Sequence, residues 1–298
     1  MNTISIYVCY HKNFQGVGEI DKLIPIQVGT SLANKLPDKI YDNLGENISH
    51  LNKSYCELTA LYWAWKNQES DYYGLFHYRR YLILLEDMIN DYNGKTCKIP
   101  YKCYKYPDMK TLNKIGYADE EFVNIINNYD IIMPIPEDMH ISVYSHYINS
   151  SNHNKQDIDL ICNIIIEKFP QYKEAMKEYL DNSLCYFGNI FIAKKEIFND
   201  YCLWLFEILN IYDKNKNVEK YSVQELRVDG YLAERLLGIY FTWLKSNKQI
   251  KWAEVPRAHF ECMGNNKYIY YKKKALNIIL KPGSKRRMVI KKIKNILG

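Results

Sequence analysis

The sequence predicts an α/β protein built on a mainly parallel sheet flanked by helices, and three observations carry that expectation. Short β-branched and aromatic runs alternate with longer amphipathic runs, the order in which parallel strands and their crossover helices are laid down. Apolar residues make up 47% of the 298 positions, enough for a sizeable core. The strand-like runs are short and interleaved with helices, which implies a mainly parallel sheet covered on both faces.

Ile4–Cys9 (ISIYVC) reads as the first strand and ends in the polar cluster Tyr10-His11-Lys12-Asn13. Residues 21–50 read as loop, punctuated by Pro25, Gly29, Pro37 and Gly45. Glu57–Asn67 has helical spacing, apolar at Leu58, Leu61, Tyr62 and Trp65. Tyr73–Leu82 (YGLFHYRRYL) reads as one strand, and 86–118 as a polar insertion of low periodicity. Tyr129–Pro134 is a short buried strand, followed by helices over Ile158–Phe169 and Pro170–Tyr179. Asn189–Ala193 is strand-like, Lys195–Ile211 and Gln224–Lys245 are helices, and Trp252–Val255 is the last strand.

The formal charge of +6 is unevenly spread: ten basic residues and no acid follow Tyr271, and removing those ten leaves −4 for residues 1–271. A mildly acidic body argues against nucleic acid as a partner. The boundary suggests a domain over 1–271 and a basic tail over 272–298. Met288, Ile290, Ile293, Ile296 and Leu297 lie among the tail's bases, a pattern suited to an anionic membrane surface; a disordered basic tail is the alternative. Eight cysteines without a CxxC pair read as reduced thiols, and no signal core or membrane-length apolar run is present. The expectation is a cytoplasmic protein, peripheral on the inner face of the plasma membrane. The 28 tyrosines suit stacking on bases and sugars, or reflect a low-GC genome.

At the end of the Tyr73–Leu82 strand stand His77, Tyr78, Arg79, Arg80 and Tyr81. Ligands of open α/β sheets bind beyond the carboxyl ends of strands, and paired arginines there suit a diphosphate. Alternatively the two arginines point to opposite faces, one of them into a structural ion pair. Asp157-Ile-Asp159 is the only Asp-x-Asp, and it opens a helix, where an acid is favoured as a cap. His146, His153 and Asp157 are too widely spaced for an ordinary zinc site.

The runs PIQVG (25–29), GENIS (45–49), YCELTALYWAWKN (55–67) and GLFHYRRYL (74–82) resemble a family of bacterial capsular and exopolysaccharide glycosyltransferases, catalogued as domain of unknown function 4422. The resemblance continues through YDIIMPIP, GNIFIAKKEIFNDYCLWLFEIL and RVDGYLAERLLGIYF, and spans roughly residues 4–260. It implies a GT-A-like, Rossmann-like fold and transfer from a UDP-sugar, with galactofuranose as the provisional sugar because some relatives transfer it. The acceptor would be a polyprenyl-diphosphate-linked glycan. A UDP-galactopyranose or UDP-glucose donor, or a non-catalytic sugar-nucleotide or glycan-binding subunit, is the alternative. Where such folds usually carry a metal-binding Asp-x-Asp, this chain has HYRRY, so no divalent metal or other cofactor is expected.

On that resemblance, Tyr10, His11, Lys12, Gly29 and Asn47 are candidates for the uridine end of the donor, with Glu57, Tyr78, Arg79, Arg80 and Arg227 completing its site. His146, His153 and Asn189 are candidates for the acceptor. An inverting transferase needs a base to deprotonate the acceptor hydroxyl. Glu234, on a helix apolar around most of its girth, is the first candidate and Asp229 the second, with Glu57 a weaker one better suited to orienting donor or backbone groups and His77 a further catalytic candidate. A structural pair between Glu234 and an arginine such as Arg227 is the alternative.

Overall fold

The computed structural model describes residues 2–14, 19–91, 97, 99–118, 121–263, 267–280, 284, 286, 287 and 290. Thirteen strands are described: β1 Ile4–Tyr10, β2 Leu23–Gln27, β3 Ile40–Tyr41, β4 Tyr72–His77, β5 Arg80–Leu82, β6 Asn90–Asp91, β7 Tyr101–Tyr104, β8 Ile131–Pro134, β9 Glu137–Asp138, β10 Leu184–Cys185, β11 Phe191–Lys194, β12 Trp252–Val255 and β13 Arg257–Phe260. The α-helices are α1 Asn52–Tyr55, α2 Leu58–Asn67, α3 Met109–Leu112, α4 Glu121–Asn127, α5 Val143–Ile148, α6 Lys155–Lys168, α7 Lys173–Asp181, α8 Lys195–Asn215, α9 Val228–Asn247 and α10 Lys267–Ile279.

The main sheet runs β3-β2-β1-β4-β11-β8-β12-β6. The neighbours β3, β2, β1 and β4 are parallel, as are β8 and β12; β11 lies antiparallel between β4 and β8. The chain leaves β1 toward β2 on one side and returns as β4 on the other, so the β1/β4 crevice is a topological switch point. Side chains alternate between two cores with period two. Tyr7 and Cys9 of β1 and Tyr73 and Leu75 of β4 join the core under α2 and α5–α9. Ile6, Val8 and Tyr10 of β1 and Tyr72 and Phe76 of β4 join the core under α4, β5 and β13.

The expected loop over 21–50 contains β2 and β3. Pro25 hides β2 from a reading by composition, because proline cannot donate to a ladder. It is tolerated here since β3 pairs only with Ile26 and Gln27, leaving Pro25 beside β1 alone. The expected single strand 73–82 is a hairpin: β4 ends at His77, Tyr78 and Arg79 form the turn, and His77 pairs with Arg80. The insertion at 86–118 supplies β6, β7 and α3. The helix expected to begin at Gln224 begins at Val228, after a 3-10 turn over Glu225–Arg227.

The boundary expected at 271/272 falls inside α10. The hydroxyl of Tyr271 accepts from Lys105 Nζ at 2.8 Å, and Asn277 Nδ2 lies 3.2 Å from Cys103 Sγ on β7. Among the described residues no helix is long and apolar enough to cross a membrane. Residues 281–283, 285, 288, 289 and 291–298, which carry most of the expected amphipathic tail, lie outside the described residues.

Candidate active site

A cavity of about 620 Å³ opens at the carboxyl ends of β1 and β4, lined by Cys9, His11, Val28, Asn52, Lys53, Cys56, Glu57, His77, Tyr78, Arg79, Val223, Gln224, Leu226 and Arg227. Three cations, Lys53, Arg79 and Arg227, converge on it with one carboxylate, Glu57. The Nε of Arg79 is buried and has no hydrogen-bond acceptor among the described residues. Its guanidinium lies 5.4 Å from the Tyr78 ring centroid, which fixes the side chain without consuming its donors. Phe14 stacks on the same tyrosine, centroids 4.5 Å apart, and His11 meets it edge-on at 4.9 Å. An arginine with an unused donor in a cavity is what an incoming phosphate oxygen would require.

Burial, followed by the charges of Arg79 and Arg80, holds His77 well below the usual imidazole range. His11 is lowered by burial and then by Lys12, Arg79 and Arg227. Both rings are therefore neutral at neutral pH, where they can hydrogen-bond a ligand without adding charge. Glu57 shifts the other way, raised chiefly by burial.

The corner between α1 and α2 brings Glu57 and Arg227 together. Cys56 sits there at φ 52°, a left-handed conformation that is strained for a side chain with a Cβ. Arg227 Nε lies 3.3 Å from its sulfur, and burial pushes the thiol up to about 12, so it stays protonated. Gly230, in the first turn of α9, lets that helix approach: a Cβ there would meet Cys56 Cβ and Sγ at 3.2 Å.

Five of the ten expected donor residues line the cavity: His11, Glu57, Tyr78, Arg79 and Arg227. The catalytic candidate His77 joins them there. The other five donor candidates lie elsewhere. Tyr10 points to the opposite core, where its hydroxyl lies 3.4 Å from that of Tyr81, because adjacent strand residues face opposite ways. Lys12 is exposed beside His11. Arg80 opens β5 and turns to Glu261, 3.8 Å away, with Nη1 donating to the carbonyl of Arg79. Asn47 closes its own turn, donating to the carbonyls of Asn43 and Gly45. Gly29 supplies a left-handed turn at φ 68°, where a Cβ would strike Asn52 Oδ1 at 2.5 Å.

The two expected bases are engaged by neighbours, although Asp229 Oδ1 has no hydrogen-bond partner among the described residues. Asp229 is fully buried, hydrogen-bonded by Ser54 and paired with Lys216 at 2.8 Å. Glu234 accepts from the Gly188 amide at 2.8 Å through Oε1 and from Arg235 Nη1 at 2.7 Å through Oε2. The expectation that a carboxylate on this helix must be paired holds, with the neighbouring Arg235 rather than Arg227 as partner. Of the acceptor candidates, His153 stacks on Tyr147 at 4.3 Å, its pKa lowered to about 3 by burial and Arg235. His146 meets Phe187 edge-on at 5.6 Å. Asn189 is 2% exposed and donates through Nδ2 to Glu57 Oε1 at 2.9 Å and to the Gly230 carbonyl at 3.2 Å. The Asp-x-Asp carboxylates are taken up locally: Asp157 by the hydroxyls of Tyr212 and Tyr221, Asp159 by Tyr144 and Lys155. Asp157 thus anchors tyrosines rather than capping α6.

Asp42 escaped the sequence reading altogether. It is fully buried, and its Oδ2 accepts from the Gly29 amide at 2.7 Å and Thr59 Oγ1 at 2.6 Å. Its Oδ1 accepts from the Thr30 amide at 3.0 Å and Ser49 Oγ at 2.6 Å. One carboxylate thereby ties the end of β2, the following loop and α2 into the wall beside the cavity. Its only sequence signal is an acid in a glycine- and asparagine-rich loop. Lys53, Asn52 and Cys56 were also missed, because they reach the cavity only through the α1–α2 corner.

No curated protein matches the chain. The solved apo structure of WbbM, a bifunctional glycosyltransferase, superimposes with a TM-score of 0.80 at 30% sequence identity. That match covers 87% of this chain and 46% of WbbM's, so the chain spans less than half of that protein's length. The family described as Domain of unknown function (DUF4422) matches residues 5–248. With most of its length matched by that family, the chain belongs to DUF4422.

Proposed function

We infer that the protein is a glycosyltransferase that takes its sugar from a nucleoside diphosphate donor and delivers it to a glycan acceptor. The observation that carries the reading is the convergence of Arg79, Arg227 and Lys53 on one cavity at the β1/β4 switch point. Fixed cations there meet a diphosphate in the ground state and stabilise it further as it leaves. On this reading those side chains balance the diphosphate charge without a divalent ion, and neutral His11 and His77 hydrogen-bond donor oxygens. The WbbM likeness supports transfer chemistry.

The finer reading keeps UDP-galactofuranose as donor, a polyprenyl-diphosphate-linked glycan as acceptor and inversion by direct displacement. The resemblance of the motifs supports it, and the basic C-terminal stretch supports work at an anionic inner-membrane surface. The test is a thermal-shift screen of UDP-sugars, because a ligand at 100 times its Kd stabilises the folded state by about 2.7 kcal/mol. UDP-galactofuranose should give the largest shift, and EDTA should leave it unchanged. If no nucleotide sugar raises the melting temperature, the reading is wrong.

A further inference from the structure

We propose that Glu57 is the general base of the transfer, and that Asn189 and Glu234 are positioning residues acting on it through the Gly188–Asn189 turn. This rests on the donor reading above. Glu57, Asp229 and Glu234 are the acidic candidates, and their hydrogen bonds separate them. Asp229 is sealed in its pair with Lys216, and Glu234 has each oxygen committed, to Gly188 and to Arg235. Glu57 alone of the three lines the cavity.

Its local setting is unusual for a structural acid. Glu57 stands at the N-cap of α2 and makes no capping bond, so its carboxylate is not spent on the helix end. Its carboxylate instead takes a hydrogen bond from Asn189 at 2.9 Å and one from its own backbone amide. Strained backbone flanks it twice: Cys56 before it at φ 52° and Asn189 against it at φ 49°. Such strain persists where surrounding structure over-determines a geometry, and it collects at functional sites.

A chain of contacts holds the arrangement. Arg235, 1% exposed between the rings of Tyr147 and Phe187, grips Glu234. Glu234 accepts the amide of Gly188, which is in the left-handed region at φ 94°, and Asn189 follows to hold Glu57. In the transfer, the acceptor O–H gives its proton to Glu57 while its oxygen bonds the anomeric carbon. The bond from that carbon to the phosphate oxygen breaks, and its electron pair leaves on the nucleoside diphosphate facing Arg79, Arg227 and Lys53.

The experiment measures transfer rate, donor affinity and the pH–rate profile for four variants. Glu57→Gln should lose transfer by about 10²- to 10⁴-fold while binding the UDP-sugar about as tightly as wild type. Glu234→Gln keeps an acceptor for Gly188 and should fall only about tenfold, whereas Glu234→Ala should fall about 10²-fold through misplacement of the turn. Asn189→Ala removes a bond that favours the ionised carboxylate, so the acid limb of the profile should move to higher pH. A Glu57→Gln protein that transfers at near wild-type rate overturns the proposal, as does an unmoved acid limb in Asn189→Ala. A wild-type protein that binds no UDP-sugar overturns the donor reading, and the base with it.

Discussion

Arg79 and Arg80 are neighbours in the chain and opposites in the fold. Arg79 is in the turn of the β4–β5 hairpin, its Nε buried without an acceptor among the described residues and its guanidinium beside Tyr78 at the cavity. Arg80, one residue on, is inside the ladder and faces Glu261, which is 3% exposed. The lesson is that a pair of arginines at a strand end is not automatically a clamp. The last residue of the turn presents its cation to the cavity, and the first residue of β5 turns its own to Glu261. The cavity side owes its positive field instead to residues distant in sequence, Lys53 and Arg227.

The contrast breaks most sharply in activity. Arg79→Ala should reduce transfer about 10²-fold or more, since it removes a fixed charge from the leaving group. Its melting temperature should stay close to wild type, because Nε has no acceptor among the described residues and the guanidinium rests beside the Tyr78 ring. Equal turnover in Arg79→Ala and wild type would remove the arginine from the donor site.

The next largest effect is on stability. Arg80→Ala removes the arginine 3.8 Å from buried Glu261 and leaves His259 at 4.0 Å, so the loss should fall below the about 3 kcal/mol of a fully broken buried pair. Chemical denaturation should show that loss while donor affinity of the folded protein stays within a few-fold of wild type. If Arg80→Ala abolishes donor binding in a folded protein, the two sides of the hairpin are not distinct.

The smallest effect is in pH dependence. His77 pairs with Arg80 across the hairpin and feels both arginines, and burial keeps it neutral in the fold. In the unfolded chain it titrates near 6.5, so the unfolded state binds the extra proton. Stability from this residue therefore falls as pH drops below that value, by about 1.4 kcal/mol per unit. His77→Gln should flatten the slope of stability against pH as pH falls below about 6.5. An unchanged slope would mean that His77 takes up its proton in the folded state.

The parts of this fold that follow from near-neighbour pattern were legible in the sequence. β1, α2, β8, α8 and α9 announce themselves by apolar spacing, and HYRRY marks the strand end where the cavity opens. What pattern could not show is which way a residue points once a turn intervenes, hence the misplacement of Arg80 and Tyr10. The short strand β2 was hidden by Pro25, and the role of Asp42 by distance, since its four donors come from positions 29, 30, 49 and 59. Glu57 was legible as a site residue, but its contact with Asn189 depends on left-handed backbone that no periodicity reveals.

The knot at Asp42 has a consequence for how a ligand is received. Gly29 and Thr30, which follow the end of β2, give their amides to a buried carboxylate. That loop is therefore held in place by folding and does not wait for an occupant to order it. On the proposed function, a donor arriving at the adjacent cavity would meet one wall in finished form, with less of its interaction energy diverted into freezing the chain. Selectivity on that wall is then a matter of rigid fit, with little scope for the loop to reshape itself around an ill-matched nucleotide.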